Sequence, residues 1–184
     1  MLRTLSLLFL LLCSAALTNG QVFPPPEGKM ETQYDRFTDV RTEMLYRVQV
    51  GHREPEYDFQ NLYLTVGARF LSSSSSSKPP DYVAMIFTSW SLWDNQYLGP
   101  TRLYAIIDGE RVTYEPFVLA EREVINGKHV ITIGGRITYK QFQQITNGKT
   151  VEMRLGDFEF RLSEPVLKTL REYASRAAPY LRDQ

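Results

Sequence analysis

Cysteine and histidine are scarce in this chain of 184 residues, which has one cysteine, Cys13, and two histidines. A single cysteine cannot form an intramolecular disulfide, and it cannot supply the ligand set of a thiolate zinc site. The chain also lacks any Asn-x-Ser/Thr acceptor for N-glycosylation. A disulfide scaffold, a zinc finger and an N-glycosylated ectodomain are therefore excluded.

Neither sign of charge is in excess, because 21 basic residues face 21 acidic ones. Without a basic field the chain has no electrostatic footprint for nucleic acid, so no nucleic-acid partner is expected. Cofactor and nucleophile motifs are missing as well. Gly134-Gly135 is a turn signal rather than a phosphate-binding loop, and Ser89 and Ser91 lack the Gly-x-Ser-x-Gly context. No cofactor is predicted.

The long apolar run that the chain does have is at its N-terminus. Arg3 precedes the segment Leu5–Leu12, in which every residue except Ser6 is apolar, and small residues follow. This pattern predicts a secretory signal peptide over residues 1–20, cleaved after Gly20 or alternatively after Ala16, which leaves no membrane span. The competing interpretation is a lipid anchor at Cys13, but that cysteine lacks the small preceding residue of lipoprotein signals.

Export with no cysteine after the predicted signal peptide and no glycosylation site predicts a bacterial protein that is periplasmic or extracellular. Pro24–Pro26 mark residues 21–30 as an extended leader, and residues 31–184 have the length of a single domain. Alternation predicts a strand with one face formed by Met44, Tyr46, Val48 and Val50 and the other by Leu45, Arg47 and Gln49.

Three turn dipeptides predict hairpins. Asp108-Gly109 and Asn126-Gly127 tolerate the positive φ of two-residue turns. Gly156-Asp157 gives the clearest register, because it places apolar residues opposite each other on one face. On the other face the same register pairs Arg154 with Glu159 and Glu152 with Arg161.

Two helices are predicted. Thr138 and Gln141 form a capping-box pattern before residues 139–146, and Asn147-Gly148 supplies a stop. Ser163 and Pro165 begin a C-terminal helix over residues 165–182. The expected fold is α+β, mainly antiparallel: a sandwich or curled sheet of about eight or nine strands, with a closed β-barrel and helical lid as the alternative.

Three segments resemble an uncharacterised family of secreted bacterial proteins. They are KTVEMRLGDFEFRLSEPVLKTLREYASRA at 149–177, YDRFTDVRT at 34–42 and LYAIIDGERV at 103–112. The resemblance covers under half of the chain and its motifs are structural. It implies a bacterial source, and it carries over no catalytic residue.

One cluster has the spacing of a metal site. His52, Glu54, Glu56 and Asp58 recur at every second position, so an extended chain would project them from one face. Pro55 interrupts a regular strand there, and the alternative is a solvated loop.

Trp90, Trp93 and Tyr97 form the other candidate, an aromatic platform for a ligand. The alternative places Trp90 in the core, with Trp93 sealing the end of its strand.

These patterns favour an exported binding or envelope-associated protein without catalytic activity. Its expected partner is a glycan, a peptide or an envelope protein. The alternative function is a hydrolase of glycans or peptides that uses two carboxylates, which sequence alone cannot locate because their spacing is three-dimensional. Whether the chain is an enzyme stays open at this stage.

Overall fold

A computed structural model describes residues 27–53, 60–71, 79–91 and 101–178. The predicted signal peptide, both of its cleavage sites and most of the predicted leader lie outside the described residues. The described chain forms nine strands and two helices. In chain order they are β1 (Met30–Asp35), β2 (Val40–Arg53), β3 (Gln60–Leu71), β4 (Tyr82–Ser91), β5 (Thr101–Ile107), β6 (Glu110–Ile125), β7 (Lys128–Thr138), α1 (Tyr139–Asn147), β8 (Val151–Leu155), β9 (Phe158–Arg161) and α2 (Glu164–Ala177).

The strands form one antiparallel sheet in the order β1-β2-β3-β4-β7-β6-β5-β8-β9. Strand β6 changes partner in its middle: residues up to Phe117 pair with β5, and residues from Val118 onward pair with β7. Pro116 lies beside this change, where a missing N–H is tolerated. The curled α+β sheet is confirmed. The closed-barrel alternative is wrong, because β1 and β9 remain separate edges.

Aromatic side chains from β4, β6 and β9 meet across the curled sheet in a single core. The ring of Phe87 lies 5.8 Å from that of Phe117 and 6.0 Å from that of Phe160. Strand β9 also reaches β2, where a Cβ added to Gly51 would lie 2.7 Å from Cε1 of Phe158. The absence of a side chain at Gly51 is therefore what lets the two strands approach.

The predicted hairpins are confirmed. Asp108 and Asn126, each followed by a glycine of positive φ, adopt φ values of 51° and 52°, as two-residue turns of this type require. The β8–β9 register matches the sequence prediction, with Glu152 opposite Arg161 and Arg154 opposite Glu159.

Strand β2 departs from the predicted alternation. The register with β3 shifts between Leu45 and Val48, and Arg47 adopts a φ of 51°. This bulge inserts an unpaired residue, so Leu45 and Val48 both face the core instead of opposite faces. Strand β1, which pairs with β2 from Met30 onward, was not predicted from the sequence.

The helices cover the core side of the sheet. The capping box of α1 is present, and the backbone N–H of Gln141 donates to Thr138 Oγ1 over 3.2 Å. Helix α2 begins at Glu164, and the side chain of the N-cap residue Ser163 makes no capping hydrogen bond. The predicted extension of this helix from 179 to 182 lies outside the described residues. The Tyr173 hydroxyl donates to the carbonyl of Glu43, which ties α2 to β2. Neither helix has the length and apolar content needed to cross a membrane.

Candidate functional site

The outer face of β6, β5, β8 and β9 carries an open depression of about 760 Å³. We call it the outer depression. Because strand side chains alternate between faces, each of the four strands contributes outward residues in matching positions. The pairing between strands therefore fixes which side chains meet across the depression.

Two rows of side chains cross the outer depression. The first row is Arg111, Ile106, Glu152 and Arg161, and the second is Thr113, Tyr104, Arg154 and Glu159. Seven of these eight side chains are exposed, and Tyr104 is half-buried. The rows place cations, carboxylates, one aromatic ring and one aliphatic side chain within a single surface.

The second row has internal partners that the first row lacks. The Arg154 guanidinium lies 4.8 Å from the Tyr104 ring centroid and 3.8 Å from Glu159 Oε1. Within the part of the chain that the structure describes, Arg111 and Arg161 have no carboxylate within ion-pair distance. These two guanidinium groups therefore keep their donors available for a ligand.

The structure places Trp90 on the outer face of β4, half-buried, and not in the core. There it meets Arg47 of β2 and Tyr63 of β3. The Arg47 guanidinium lies 4.8 Å from the Tyr63 ring centroid and 5.8 Å from that of Trp90. We call these three residues the arginine–aromatic cluster. Trp93 and Tyr97, the other members of the predicted platform, lie outside the described residues.

Of the predicted metal ligands, only His52 belongs to a described element. Its backbone pairs with Asn61 near the end of β2. Glu54, Glu56 and Asp58 lie outside the described residues. Across the four described ranges, no group of three or more histidine, cysteine, aspartate or glutamate side chains is arranged to hold a metal ion.

One carboxylate pair has perturbed protonation. A hydrogen bond with Glu123 raises the pKa of Glu121, and burial and like-charge repulsion add to the effect. Both residues are exposed on β6. A glycoside hydrolase needs two carboxyl groups roughly 5–9.5 Å apart, on either side of the bond to be cleaved. The Glu121–Glu123 pair is hydrogen-bonded directly and is therefore closer than this spacing.

A second carboxylate, Glu43, is buried and has a structural role. Its two oxygens accept from Thr32 Oγ1 over 3.0 and 2.8 Å, and Arg41 Nε lies 3.4 Å away. Arg176 of α2 lies 4.0 Å away. These contacts hold β1, β2 and α2 together. The two nearby arginines compensate the buried charge of this carboxylate.

Sequence analysis predicted the charge pairs of the β8–β9 hairpin and named Trp90, but it predicted neither the outer depression nor the arginine–aromatic cluster. The β8–β9 register had already placed Arg154 opposite Glu159 and Glu152 opposite Arg161. What the sequence did not predict is the pairing of β5 with β8, two strands far apart in the chain, which places the β5–β6 hairpin beside the β8–β9 hairpin. Comparison of the chain with protein-family models, with curated proteins and with solved structures finds no match.

Proposed function

We propose that this chain is an exported, non-enzymatic binding protein that holds a polar ligand in the outer depression. The observation that carries the proposal is the depression itself: about 760 Å³, open, and crossed by two ordered rows of charged and aromatic side chains. Its volume lies within the range typical of ligand sites, roughly 300–1,000 Å³.

The lining favours a glycan of the cell envelope as the ligand. Sugars present hydroxyl groups that need both donors and acceptors, and they present apolar ring faces. Arg111 and Arg161 supply donors, Glu152 supplies acceptors, and Tyr104 and Ile106 supply apolar surface. An extended peptide is the alternative occupant, because the same groups also match amides and charged side chains.

Binding can be measured by calorimetric titration of the protein purified after full-length expression. Soluble cell-wall glycan fragments and peptides of similar length would be the ligands. We expect Tyr104→Ala to weaken glycan binding by about 1–2 kcal/mol, since aromatic anchors dominate many binding sites. Lys168→Ala, an exposed change on α2 away from the depression, should bind as the parent does. Equal affinities for all three proteins, or binding of peptides alone, would contradict the glycan proposal.

Export is supported by the signal-peptide pattern of residues 1–20. Expression in a bacterial host followed by fractionation and N-terminal sequencing tests it. A mature N-terminus at Gln21, in the periplasm or the medium, is expected. A lipid-modified Cys13 in the membrane fraction would favour the anchored form instead.

A carboxylate-dependent hydrolase remains the second candidate, and the raised pKa of Glu121 is the observation in its favour. Incubation with the same glycans should then release new reducing ends. Glu121→Gln should abolish the release if Glu121 is the acid. Exposed Glu110, which has no such carboxyl partner, provides the control as Glu110→Gln.

A further inference from the structure

The arginine–aromatic cluster lies on a surface that shares no residue with the outer depression. It is built from the outer faces of β2, β3 and β4, and all three of its side chains are half-buried. From the contacts of Arg47 in this cluster, we propose that it is a second binding site, specific for a carboxylate group. The ligand would accept two hydrogen bonds from the guanidinium while its carbon skeleton contacts the aromatic rings.

The first support is the backbone of Arg47. Its φ of 51° lies in the left-handed region, where a bulky side chain is unusual and glycine is favoured. The conformation is held at the β2 bulge, where the Arg47 amide donates to Thr65 Oγ1 over 3.2 Å. Strained backbone of this kind concentrates at functional sites, so the arginine needs an explanation beyond strand formation.

The second support is the preorganisation of the guanidinium. Stacking on Tyr63 and Trp90 restricts its orientation while its N–H edge stays available. Within the described ranges, no carboxylate pairs with Arg47 and no acceptor receives a hydrogen bond from its side chain. Of the other stacked arginines in the described part of the chain, Arg41 and Arg154 have a glutamate nearby, whereas Arg36 and Arg136 each stack on a single ring without one. Among the described residues, Arg47 is thus a cation held by two rings without a paired anion.

The third support concerns the charge of the ligand. One guanidinium balances one negative charge, and its planar fork matches the two coplanar oxygens of a carboxylate. The cluster therefore fits an organic carboxylate better than a phosphate.

Titration with benzoate tests the proposal. The readout is the NMR signal of the arginine side-chain Nε–H groups in the protein purified after full-length expression. The Arg47 signal is identified by its absence in Arg47→Lys. We expect benzoate to shift it saturably with a dissociation constant of about 1 mM, given the size of the probe. Benzamide, which keeps the ring but has no charge, should not shift it. Inorganic phosphate binding as tightly as benzoate would overturn the carboxylate assignment.

Substitutions separate binding from folding. Lysine keeps the charge but loses the planar fork, so Arg47→Lys, followed through the Trp90 indole N–H signal, should weaken benzoate binding about tenfold. Arg47→Gly should abolish binding while the thermal midpoint stays close to that of the parent, since glycine favours this backbone conformation. Arg136, which stacks 5.2 Å from the Tyr82 ring, gives the matched control, and Arg136→Lys should bind benzoate normally. Unchanged affinity in both Arg47 variants would overturn the site, even if the glycine variant folds poorly.

Discussion

Strand β2 and the β8–β9 hairpin both carry an arginine stacked on a tyrosine, and in both the guanidinium lies 4.8 Å from the ring centroid. Their surroundings differ. Arg154 lies in a regular register and has Glu159 at 3.8 Å. Arg47 lies at a bulge with positive φ, and no carboxylate of the described segments pairs with it. The same Arg–Tyr stacking therefore accompanies an ion pair at Arg154, whereas at Arg47 it leaves the guanidinium without a carboxylate among the described residues.

The difference has its origin in how each register is set. A two-residue turn and two apolar faces specify the β8–β9 hairpin locally, because a slip by one residue would expose the whole apolar face. Strand β2 pairs with β1 on one side and β3 on the other, and β9 approaches it through Gly51. Three other strands therefore constrain β2, and no local sequence pattern encodes that combination.

The largest expected effect lies where the two regions touch. A Cβ at position 51 would lie 2.7 Å from Cε1 of the buried Phe158 ring. Gly51→Ala should therefore lower the free energy of unfolding by about 1–3 kcal/mol, the usual cost of overpacking a core. Chemical denaturation provides the measurement. In a double-mutant cycle, Phe158→Leu should make the added methyl group less costly. Additive losses would show that β2 and β9 are not coupled through this contact.

This contact also marks the limit of prediction from sequence. The turn dipeptides, the capping box and the β8–β9 register follow from local rules, and the structure confirms them. Gly148 was predicted as a helix stop and does end α1, but with a φ of −61°. Its Cβ would lie 2.8 Å from Val151 Cγ2, so close packing, not a left-handed turn, is what favours glycine there.

The candidate sites show the same division. The β8–β9 charge pairs and the β5–β6 hairpin follow from local turn patterns, whereas the pairing of Tyr104 with Arg154, which joins the two hairpins into one surface, is long-range. Trp90 was a predicted ligand contact, yet its partners Arg47 and Tyr63 depend on the β2 bulge. A bulge moves residues between faces, so alternation alone assigns Leu45 and Val48 to opposite sides.

The next largest effect concerns helix α2, which is tied to β2 by a hydrogen bond, whereas the β8–β9 register is set by local pairing. The Tyr173 hydroxyl donates to the Glu43 carbonyl over 3.1 Å, so Tyr173→Phe should cost about 0.5–1.5 kcal/mol of stability. Tyr114→Phe is the matched control. The buried Tyr114 hydroxyl has no partner in the described part of the chain, so its removal should cost nothing or stabilise slightly. A larger loss for Tyr114→Phe would contradict this assignment.

The two buried tyrosines also predict a pH dependence. Burial raises the pKa of Tyr114 to about 12, and burial together with Glu43 raises the pKa of Tyr173 well above its usual value. The unfolded chain loses these protons near pH 10, while the folded protein retains them. Stability should be constant with respect to these groups below pH 10 and fall from pH 10 to 12. Urea denaturation over this range should show a shallower fall in either phenylalanine variant.

Alanine and glycine variants should differ in relative stability at positions 47 and 154, because only Arg47 has a positive φ. In a regular strand glycine is less stable than alanine by about 0.5–1 kcal/mol, so Arg154→Gly should be less stable than Arg154→Ala. At position 47 the positive φ costs alanine about 1 kcal/mol more than glycine. Arg47→Gly should therefore be more stable than Arg47→Ala. Thermal denaturation of the four variants measures the order, and the same order at both positions would remove the argument from strain.

The smallest effect is expected from the ion pair itself. Arg154 and Glu159 are separated by 3.8 Å, with side chains that are 50% and 75% exposed. Solvent screens such a pair, so a double-mutant cycle with Arg154→Ala and Glu159→Ala should give a coupling of about 0.2–0.5 kcal/mol. The coupling should shrink further in 1 M salt, where the Debye length is about 3 Å. A coupling above about 1 kcal/mol that persists in salt would mean that the second row of the depression is rigid. Arg154 and Arg47 would then both be held rigidly. Among the described residues, the two arginines would differ only in that Arg154 has a carboxylate partner.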